Sequence, residues 1–251
     1  FPGTIDCLTR LKESGKTILL LSNTPDRRDS IARRLGLLGI TDSLYDHIVT
    51  AGDSAYEDIK SREGQTCWYA GYDGETRLTE GLDIKVQDSP EGADFIVNVL
   101  FDLTENEKHE AYRIFETARD NALPMICANP DLVVNVGSVL KTCPGTYAAH
   151  YEAIGGEVHY HGKPHGPIYE LGWELLGRPE KARILAVGDS LHTDIQGANT
   201  FGITSVMNLA GIHWEDLQHD HAPGIPDINK ITRMVAAQPH RPDAIMAGFR
   251  W

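Results

Sequence analysis

The stretch ILAVGDSLHTDIQGANTFGI, Ile184–Ile203, indicates the fold class of this chain. An apolar run ends in a glycine and an aspartate, Asp189, and a second aspartate, Asp194, follows five positions later. In open α/β sheets, ligands bind at the carboxyl ends of the strands, where the helices begin. The pattern therefore predicts a buried strand that ends just before Asp189 and a helix that starts close behind it.

The rest of the chain alternates in the same way between short apolar runs and longer helical patterns. This alternation is typical of an α/β protein with parallel strands. Strands are predicted at Thr17–Leu21, Ile48–Thr50, Thr66–Tyr69, Ala93–Val99, Met125–Ala128, Arg183–Val187 and Ile203–Val206. Helices are predicted at Arg27–Leu37, Ser54–Glu63, Thr104–Asn121, Pro167–Leu176 and His192–Thr200.

Length, charge and cysteine content restrict the classes of function. The 251 residues suffice for one large domain or two modest ones. The formal net charge of −13 argues against a nucleic-acid partner, because binding to phosphate backbones needs clustered Lys and Arg. No apolar run approaches the length of a membrane span, and no signal segment is recognised. The four cysteines contain no CxxC pair, so we expect free thiols and a cytoplasmic location.

The stretch LLLSNTP, Leu19–Pro25, also ends an apolar strand in polar residues. Hydroxyl, amide and backbone N–H donors at the start of a helix can form a phosphate cradle. The predicted phosphate-binding residues are Ser22, Asn23 and Thr24. A simple helix cap is the alternative interpretation of this segment.

The stretch HGKPHGPIYE, His161–Glu170, supplies a candidate cation. Gly162 allows close backbone approach and Pro164 stiffens the chain, so that Lys163 could neutralise a phosphoryl group. A surface lysine is the alternative. The nearby histidines, His159, His161 and His165, are expected to form a solvated loop cluster rather than a zinc site.

The two aspartates of the first stretch suggest a cation site. Mg²⁺ takes oxygen ligands, keeps several waters and is commonly bound by one or two protein carboxylates. Asp189 with Asp194 nearby fits this requirement. Helix capping by Asp189 or Ser190 is the alternative.

Taken together, the order strand-SNT, long insertion, GKP and strand-GDSLHTD resembles the haloacid dehalogenase-like hydrolases, and within them the class IIA capped phosphatases. The similarity extends to the lead segment FPGTIDCLTRLKESGKTILLLSN, to CANPD at Cys127–Asp131 and to the tail GANTFGITSVMNLAGI. The resemblance implies a Rossmann-like parallel-sheet core with an inserted α/β cap. The implied domains are core 1–52, cap 53–158 and core 159–251, with both core parts in one parallel sheet.

The resemblance also implies a mechanism and a set of roles. An aspartate in the family's first motif, DxDG, forms an aspartyl-phosphate, a second aspartate acts as acid and base, and Mg²⁺ bridges the reacting groups. Lys163 would hold the phosphoryl charge and Asp189 would bind the metal, both as catalytic residues. Asp194 would contact the metal indirectly, and Asn129 and Asp131 would lie at the cap's hinge or its substrate-facing loop.

The DxDG motif is not found in the sequence. The nearest match is Asp73-Gly74, but the nucleophile position would be Gly71, so we interpret this segment as a cap loop. We therefore expect a segment preceding Phe1 to supply the nucleophile for a small phosphorylated metabolite.

Other classes of protein explain the sequence less well. A non-catalytic binding or scaffold protein on the same fold is the main alternative. A dinucleotide-binding protein would need a GxGxxG after a strand, and a receiver domain would be about half as long. A homo-oligomer is possible.

Overall fold

The computed structural model describes residues 3–71, 78–137, 139–220 and 222–251. The Asp73-Gly74 segment, interpreted above as a cap loop, lies outside these residues. The chain is α/β, as predicted. Its helices are α1 Thr4–Glu13, α2 Arg28–Leu37, α3 Ala51–Lys60, α4 Glu105–Asp120, α5 Pro144–Ala153, α6 Gly166–Leu175, α7 Gln196–Phe201, α8 Trp214–Leu217 and α9 Ile228–Ala236.

The strands are β1 Leu19–Ser22, β2 His47–Thr50, β3 Thr66–Ala70, β4 Lys85–Gln87, β5 Phe95–Asn98, β6 Met125–Cys127, β7 Val133–Val136, β8 Val139–Thr142, β9 Val158–Tyr160, β10 Leu185–Gly188, β11 Thr204–Asn208, β12 Gln218–His219, β13 Ala222–Pro226 and β14 Ala244–Met246. Most predicted elements are present within a few residues of their expected bounds.

The chain divides into two compact units. Unit 1 contains residues 1–20, 35–47 and 163–251, and unit 2 contains residues 21–34 and 48–162. The chain passes between the units at 20/21, 34/35, 47/48 and 162/163. The domain boundaries inferred from the sequence, at 52/53 and 158/159, stay predictions.

Unit 2 contains a five-stranded parallel sheet with the order β4-β3-β5-β6-β9. Side chains alternate between its faces with a period of two, as strand geometry requires. Trp68, Ile96 and Met125 belong to one hydrophobic core, together with Phe115 of α4 and Tyr151 of α5. The alternate strand residues join a second core on which α3 packs through Ala55 and Ile59. Apolar residues on both faces explain why these strands appear in the sequence as continuous apolar runs.

Two helix starts in unit 2 are encoded by capping boxes. Thr104 caps α4, and its hydroxyl accepts from the N–H of Glu107 while the Glu107 carboxylate accepts from the Thr104 N–H. Thr50 and Asp53 do the same for α3. Each box satisfies two N–H groups that the first helical turn leaves without partners. The predicted Thr104 cap is confirmed, whereas α3 begins at Ala51 rather than Ser54.

Unit 1 contains the three-stranded parallel sheet β10-β11-β14. Its core includes Leu191, Ile195 and Met207. Within the described residues, β10 pairs with β11 alone, and it exposes 56% of Leu185 and 38% of Val187. The sequence of β10 predicts a buried strand, but in the described residues β10 lies at an open edge of the sheet.

The expectation of one sheet from both core parts is not met in the described part of the chain. β1 and β2 form a two-stranded sheet, and no described strand joins them to β10-β11-β14. One continuous sheet would need a strand that pairs with β1 on one side and β10 on the other. No strand of the described ranges does this.

The histidine prediction is wrong for His161, which is buried, and His159 lies on β9 rather than in a loop. The His161 ring is hydrogen-bonded to Ser54 and Asp58 of α3, a contact that no sequence spacing reveals. All four cysteines are unpaired and buried. Among the described residues, no helix combines the length and apolar character needed to cross a membrane.

Candidate active site

Asp189 lies directly after β10, at the carboxyl edge of the unit 1 sheet. Its Oδ2 accepts a hydrogen bond from the N–H of Ile212, 3.0 Å away, in the segment that follows β11. A Cβ on Gly211 would lie 2.1 Å from the Cβ of Asp189, so only glycine permits this approach. The ends of two neighbouring parallel strands thus fix the Asp189 carboxylate.

Asp194 holds the turn that carries Asp189. Its Oδ2 accepts from the N–H groups of Asp189 and Ser190, both at 3.1 Å. A Cβ on Gly188 would lie 2.2 Å from the Asp194 side chain, so this glycine is required as well. Asp194 is part of a short π-helical segment, Leu191–Ile195, whose N-cap is Ser190. Ser190 therefore caps the helix, whereas the Asp189 carboxylate accepts a hydrogen bond from the segment that follows β11.

Lys163 contacts the same aspartate. Its Nζ donates to Asp194 Oδ1 at 2.7 Å, and both side chains are largely buried. A buried ion pair needs further hydrogen bonds to offset its desolvation, and the two N–H donors to Asp194 Oδ2 provide them. Lys163 is therefore not the freely solvated surface lysine of the alternative interpretation.

The donor set is compatible with Mg²⁺ at Asp189. No hydrogen bond to Asp189 Oδ1 is present among the described residues, which leaves a hard oxygen for a cation. Both oxygens of Asp194 accept from N–H donors, so Asp194 supports the turn, and its indirect contact with the metal stays a prediction. No group of three or more His, Cys, Asp or Glu suited to a metal occurs in the described ranges. A cation here would depend on water and on further ligands, which suits Mg²⁺.

The SNT segment forms a compact turn in unit 2. Ser22 Oγ accepts from the N–H of Thr24 at 3.4 Å, and Thr24 Oγ1 accepts from the N–H of Asp26 at 3.3 Å. Asn23 is buried, and its Nδ2 donates to Asp131 Oδ1 at 2.8 Å. The structure thus joins Asn23, predicted to bind phosphate, to Asp131, predicted to lie at the cap's hinge or its substrate-facing loop.

The NPD segment is fixed by its own hydrogen bonds. Asn129 Oδ1 accepts from the N–H of Asp131 at 2.9 Å, and the Asn129 carbonyl accepts from the Cys127 thiol. Burial raises the pKa of Cys127 to about 12, so this thiol remains protonated near neutral pH. Asn129 therefore shapes the turn that carries Asp131.

A buried network in unit 2, which no sequence pattern indicates, surrounds Asp58 of α3. His161 Nε2 donates to Asp58 Oδ2 at 3.1 Å, and His161 Nδ1 lies 2.8 Å from Ser54 Oγ. Burial acts to raise the pKa of Asp58, but the His161 hydrogen bond and the charge of Arg62 hold that pKa well below its usual range. The network anchors β9 and the residue that follows it to α3. Because Ser54 is buried, the network offers no accessible nucleophile.

A buried carboxylate, Asp53, anchors the residues that follow the SNT turn. Arg27 Nε donates to its Oδ1 at 2.9 Å, and Arg28 Nε lies 3.2 Å from its Oδ2. The Arg27 guanidinium also stacks 3.6 Å from the centre of the Tyr56 ring. A Cβ on Gly52 would lie 2.0 Å from the Pro25 carbonyl oxygen, so the turn packs directly on the start of α3.

The structure brings the predicted site residues together in two sets. Lys163, Asp189 and Asp194 share hydrogen bonds in unit 1, and Asn23, Asn129 and Asp131 do so in unit 2, next to Ser22 and Thr24. That all of them serve one site stays a prediction.

Parallel sheets flanked by helices, with a carboxylate and a lysine near a strand's carboxyl end, define an α/β protein with a polar site where that fold binds ligands. The chain belongs to the haloacid dehalogenase-like hydrolase family, whose pattern matches residues 51–202. A further family of that description matches residues 1–85, and a HAD-hydrolase-like family matches residues 160–247. The family resemblance inferred from the sequence is confirmed.

Individual relatives cover almost the whole chain. Chronophin of Rattus norvegicus is 25% identical over 99% of this chain and 88% of its own. The sugar-phosphatase AraL of Bacillus subtilis is 22% identical over 91% of this chain and 86% of its own. The crystal structure of a haloacid dehalogenase-like hydrolase from Brucella suis is 30% identical, with a TM-score of 0.77, 99% of this chain covered and 89% of that chain.

Proposed function

We propose that this protein is a Mg²⁺-dependent phosphatase of the class IIA type, which hydrolyses a small phosphate monoester through an aspartyl-phosphate. The observation that carries the proposal is the shared carboxylate of Asp194, which pairs with Lys163 and holds the turn of Asp189. The names of the relatives, a sugar phosphatase and chronophin, support a phosphorylated metabolite as the substrate.

Each candidate site residue has a role in this proposal. Lys163 is assigned to neutralise phosphoryl charge. The Ser22 and Thr24 hydroxyls, with nearby N–H groups, are assigned to phosphate binding. Asp189 would hold Mg²⁺, which supplies charge neutralisation at the phosphoryl oxygens when bound. Asp194 keeps Lys163 and the Asp189 turn in register. Asn129 and Asp131 shape the neighbouring turn.

The nucleophile belongs, in this proposal, to a strand that precedes Phe1. The open edge of β10, with half-exposed Leu185 and Val187, supports a further neighbouring strand, because parallel strands are normally buried on both faces. Neither Lys163 nor Asp189 is assigned as the nucleophile, because Lys163 is paired with Asp194 and this proposal gives Asp189 to the cation.

A catalytically inactive protein that binds phosphorylated ligands on the same fold is the alternative, because fold does not fix function. It keeps the roles of Lys163 and Ser22 but needs no nucleophile. On either proposal we expect a cytoplasmic protein, supported by four free buried thiols. A homo-oligomer is compatible with both.

The test is a turnover screen of the full-length gene product with Mg²⁺ against a panel of phosphate monoesters. Sugar phosphates, pyridoxal phosphate, nucleotides, phosphoglycolate and p-nitrophenyl phosphate represent the leaving groups. The proposal predicts release of inorganic phosphate from at least one of them, with loss of activity in EDTA and recovery with Mg²⁺. A folded full-length protein that hydrolyses none of them would support the binding protein instead.

A further inference from the structure

We propose that Asp131 is a positioning residue for substrate binding: it holds the Asn23 amide and thereby sets the Ser22–Thr24 turn in its phosphate-binding conformation. This inference rests on the proposed function, because it assumes that the turn binds a phosphoryl group. It gives the NPD segment a definite role, which neither the sequence pattern nor the family match provides.

The hydrogen bond between Asn23 and Asp131 is short and partly buried. Asn23 Nδ2 and Asp131 Oδ1 are 2.8 Å apart, and Asn23 is only 8% exposed. A hydrogen bond to a carboxylate is about twice as strong as one between neutral groups, and it is stronger still when shielded from water. The bond joins segments 108 positions apart, so it fixes tertiary rather than local structure.

Asp131 is itself held in place by the NPD turn. The N–H of Asp131 donates to Asn129 Oδ1 at 2.9 Å. The carbonyl oxygen of Asp131 accepts from the N–H of Gly145 at 3.1 Å. A Cβ on Gly145 would lie 2.2 Å from the carbonyl oxygen of Pro130, so the NPD turn packs against the start of α5 without space for a side chain. The acceptor therefore has a rigid support.

The other side of the Asn23 amide is packed against Gly162. A Cβ on Gly162 would lie 3.0 Å from Asn23 Oδ1 and 2.6 Å from Pro130 Cδ, and Gly162 has a φ of +115°. Gly162 thus meets both the SNT turn and the NPD turn closely. With Nδ2 bonded to Asp131 and Oδ1 packed on Gly162, the amide is directed into the protein. The phosphate-binding groups of the segment are then the hydroxyls of Ser22 and Thr24 and the backbone N–H groups.

The experiment is a reciprocal exchange of the two side chains in the full-length protein, with inorganic phosphate as the probe in the presence of Mg²⁺. Phosphate affinity is measured by calorimetry at a temperature where thermal unfolding shows every variant to be folded. Asn23→Asp places two carboxylates against each other, and we expect phosphate affinity to fall by about tenfold or more. Asp131→Asn keeps an acceptor oxygen and should change the affinity less than about threefold.

The double variant, with Asn23→Asp and Asp131→Asn, reverses the donor and the acceptor and should recover most of the lost affinity. If Asn23→Asp does not fold, Asp131→Ala removes the acceptor without adding repulsion and should still weaken phosphate binding about tenfold. Asp29→Asn, an exposed position on α2, is the matched control and should bind phosphate as the wild type does.

The outcomes separate this inference from the proposed function. Unchanged phosphate affinity in a folded Asp131→Ala or Asn23→Asp variant overturns the inference, even in an active enzyme, because a purely structural bond would alter only stability. Failure of the exchange to recover affinity also overturns it. Phosphate binding that follows the predicted pattern without turnover of any monoester contradicts the phosphatase and leaves the inference standing. A wild type that binds no phosphate overturns the inference.

Discussion

Lys163 and Asp189 are coupled through one carboxylate: Asp194 Oδ1 accepts from Lys163 Nζ at 2.7 Å, while Asp194 Oδ2 accepts from the N–H of Asp189 at 3.1 Å. The candidate phosphoryl-binding cation and the candidate metal ligand therefore share a single support. Because both residues lie in unit 1, this relationship belongs to one sheet edge. It explains why two aspartates five positions apart are needed after β10.

The charge of Lys163 leads to the first prediction. Replacement of Lys163 by alanine in the full-length enzyme removes the cation and leaves Asp194 without its partner. We expect kcat to fall about 10²–10³-fold, the range typical for loss of one electrostatic group in a transition state. Steady-state kinetics on the best monoester measure this. Lys60→Ala, at an exposed end of α3, is the control, and an equal loss there would contradict the assignment.

The second prediction concerns the metal. Asp189→Asn keeps the shape of the side chain but removes its negative charge, so the Mg²⁺ concentration for half-maximal activity should rise at least about tenfold. Mn²⁺ binding, followed by paramagnetic resonance, gives a readout that needs no turnover. Wild-type affinity for Mn²⁺ in a folded Asp189→Asn variant would exclude Asp189 as a ligand.

The third prediction tests the packing beneath the SNT turn. Gly52→Ala places a methyl group where the Pro25 carbonyl oxygen lies 2.0 Å away, so α3 and the turn must separate. We expect the free energy of unfolding to fall by about 1–3 kcal/mol, the usual range for overpacking. Gly166→Ala is the matched control, because a Cβ there meets nothing within 4 Å. Equal stability of the two variants in urea titrations would show that the close approach is not maintained.

The fourth prediction is a pH dependence of stability. The folded pKa of Asp58 lies below its unfolded value, so its ionised form stabilises the fold above the unfolded pKa, which is about 3.9. That contribution is lost as the pH falls below about 4 towards the folded pKa. Asp58→Asn should therefore destabilise the protein by about 2 kcal/mol at pH 7 and by less at about pH 3.

Urea unfolding of the wild type and of Asp58→Asn at the two pH values measures this difference. The titratable groups that face Asp58 are His161, His159 and Arg62. Asp29→Asn should show no such change between the two pH values. A stability difference that stays constant or grows on acidification would contradict the role assigned to Asp58.

Much of the fold could be predicted because the strands of unit 2 have apolar residues on both faces and the helices carry recognisable caps, as at Thr104. The hairpin β7-β8 was missed because its valines are exposed, so no burial pattern marks it. Helix α5 was missed because Pro144-Gly145 also fits a turn. The short π-helical segment at Leu191–Ile195 depends on the Asp194 contacts and has no signature of its own.

The candidate site was predictable only in part, because strand ends are visible in the sequence and contacts between distant segments are not. Strand ends locate Asp189 and Ser22, because ligands of open α/β sheets bind where the carboxyl ends of the strands meet the following helices. Contacts between distant segments have no such signal. Asn23 meets Asp131, and Ser54 meets His161, across 108 and 107 positions, and a single sequence carries no record of these pairs.

The most direct test of the central claim compares the 251-residue chain with the full-length gene product in hydrolysis of p-nitrophenyl phosphate with Mg²⁺. The shorter chain holds Lys163 and Asp189 but no recognised nucleophile, so positioning and electrostatics alone should leave at most residual turnover. We predict Mg²⁺-dependent hydrolysis by the full-length protein and activity lower by several orders of magnitude in the shorter chain. Equal activity of the two folded proteins would contradict the claim that an upstream aspartate attacks phosphorus.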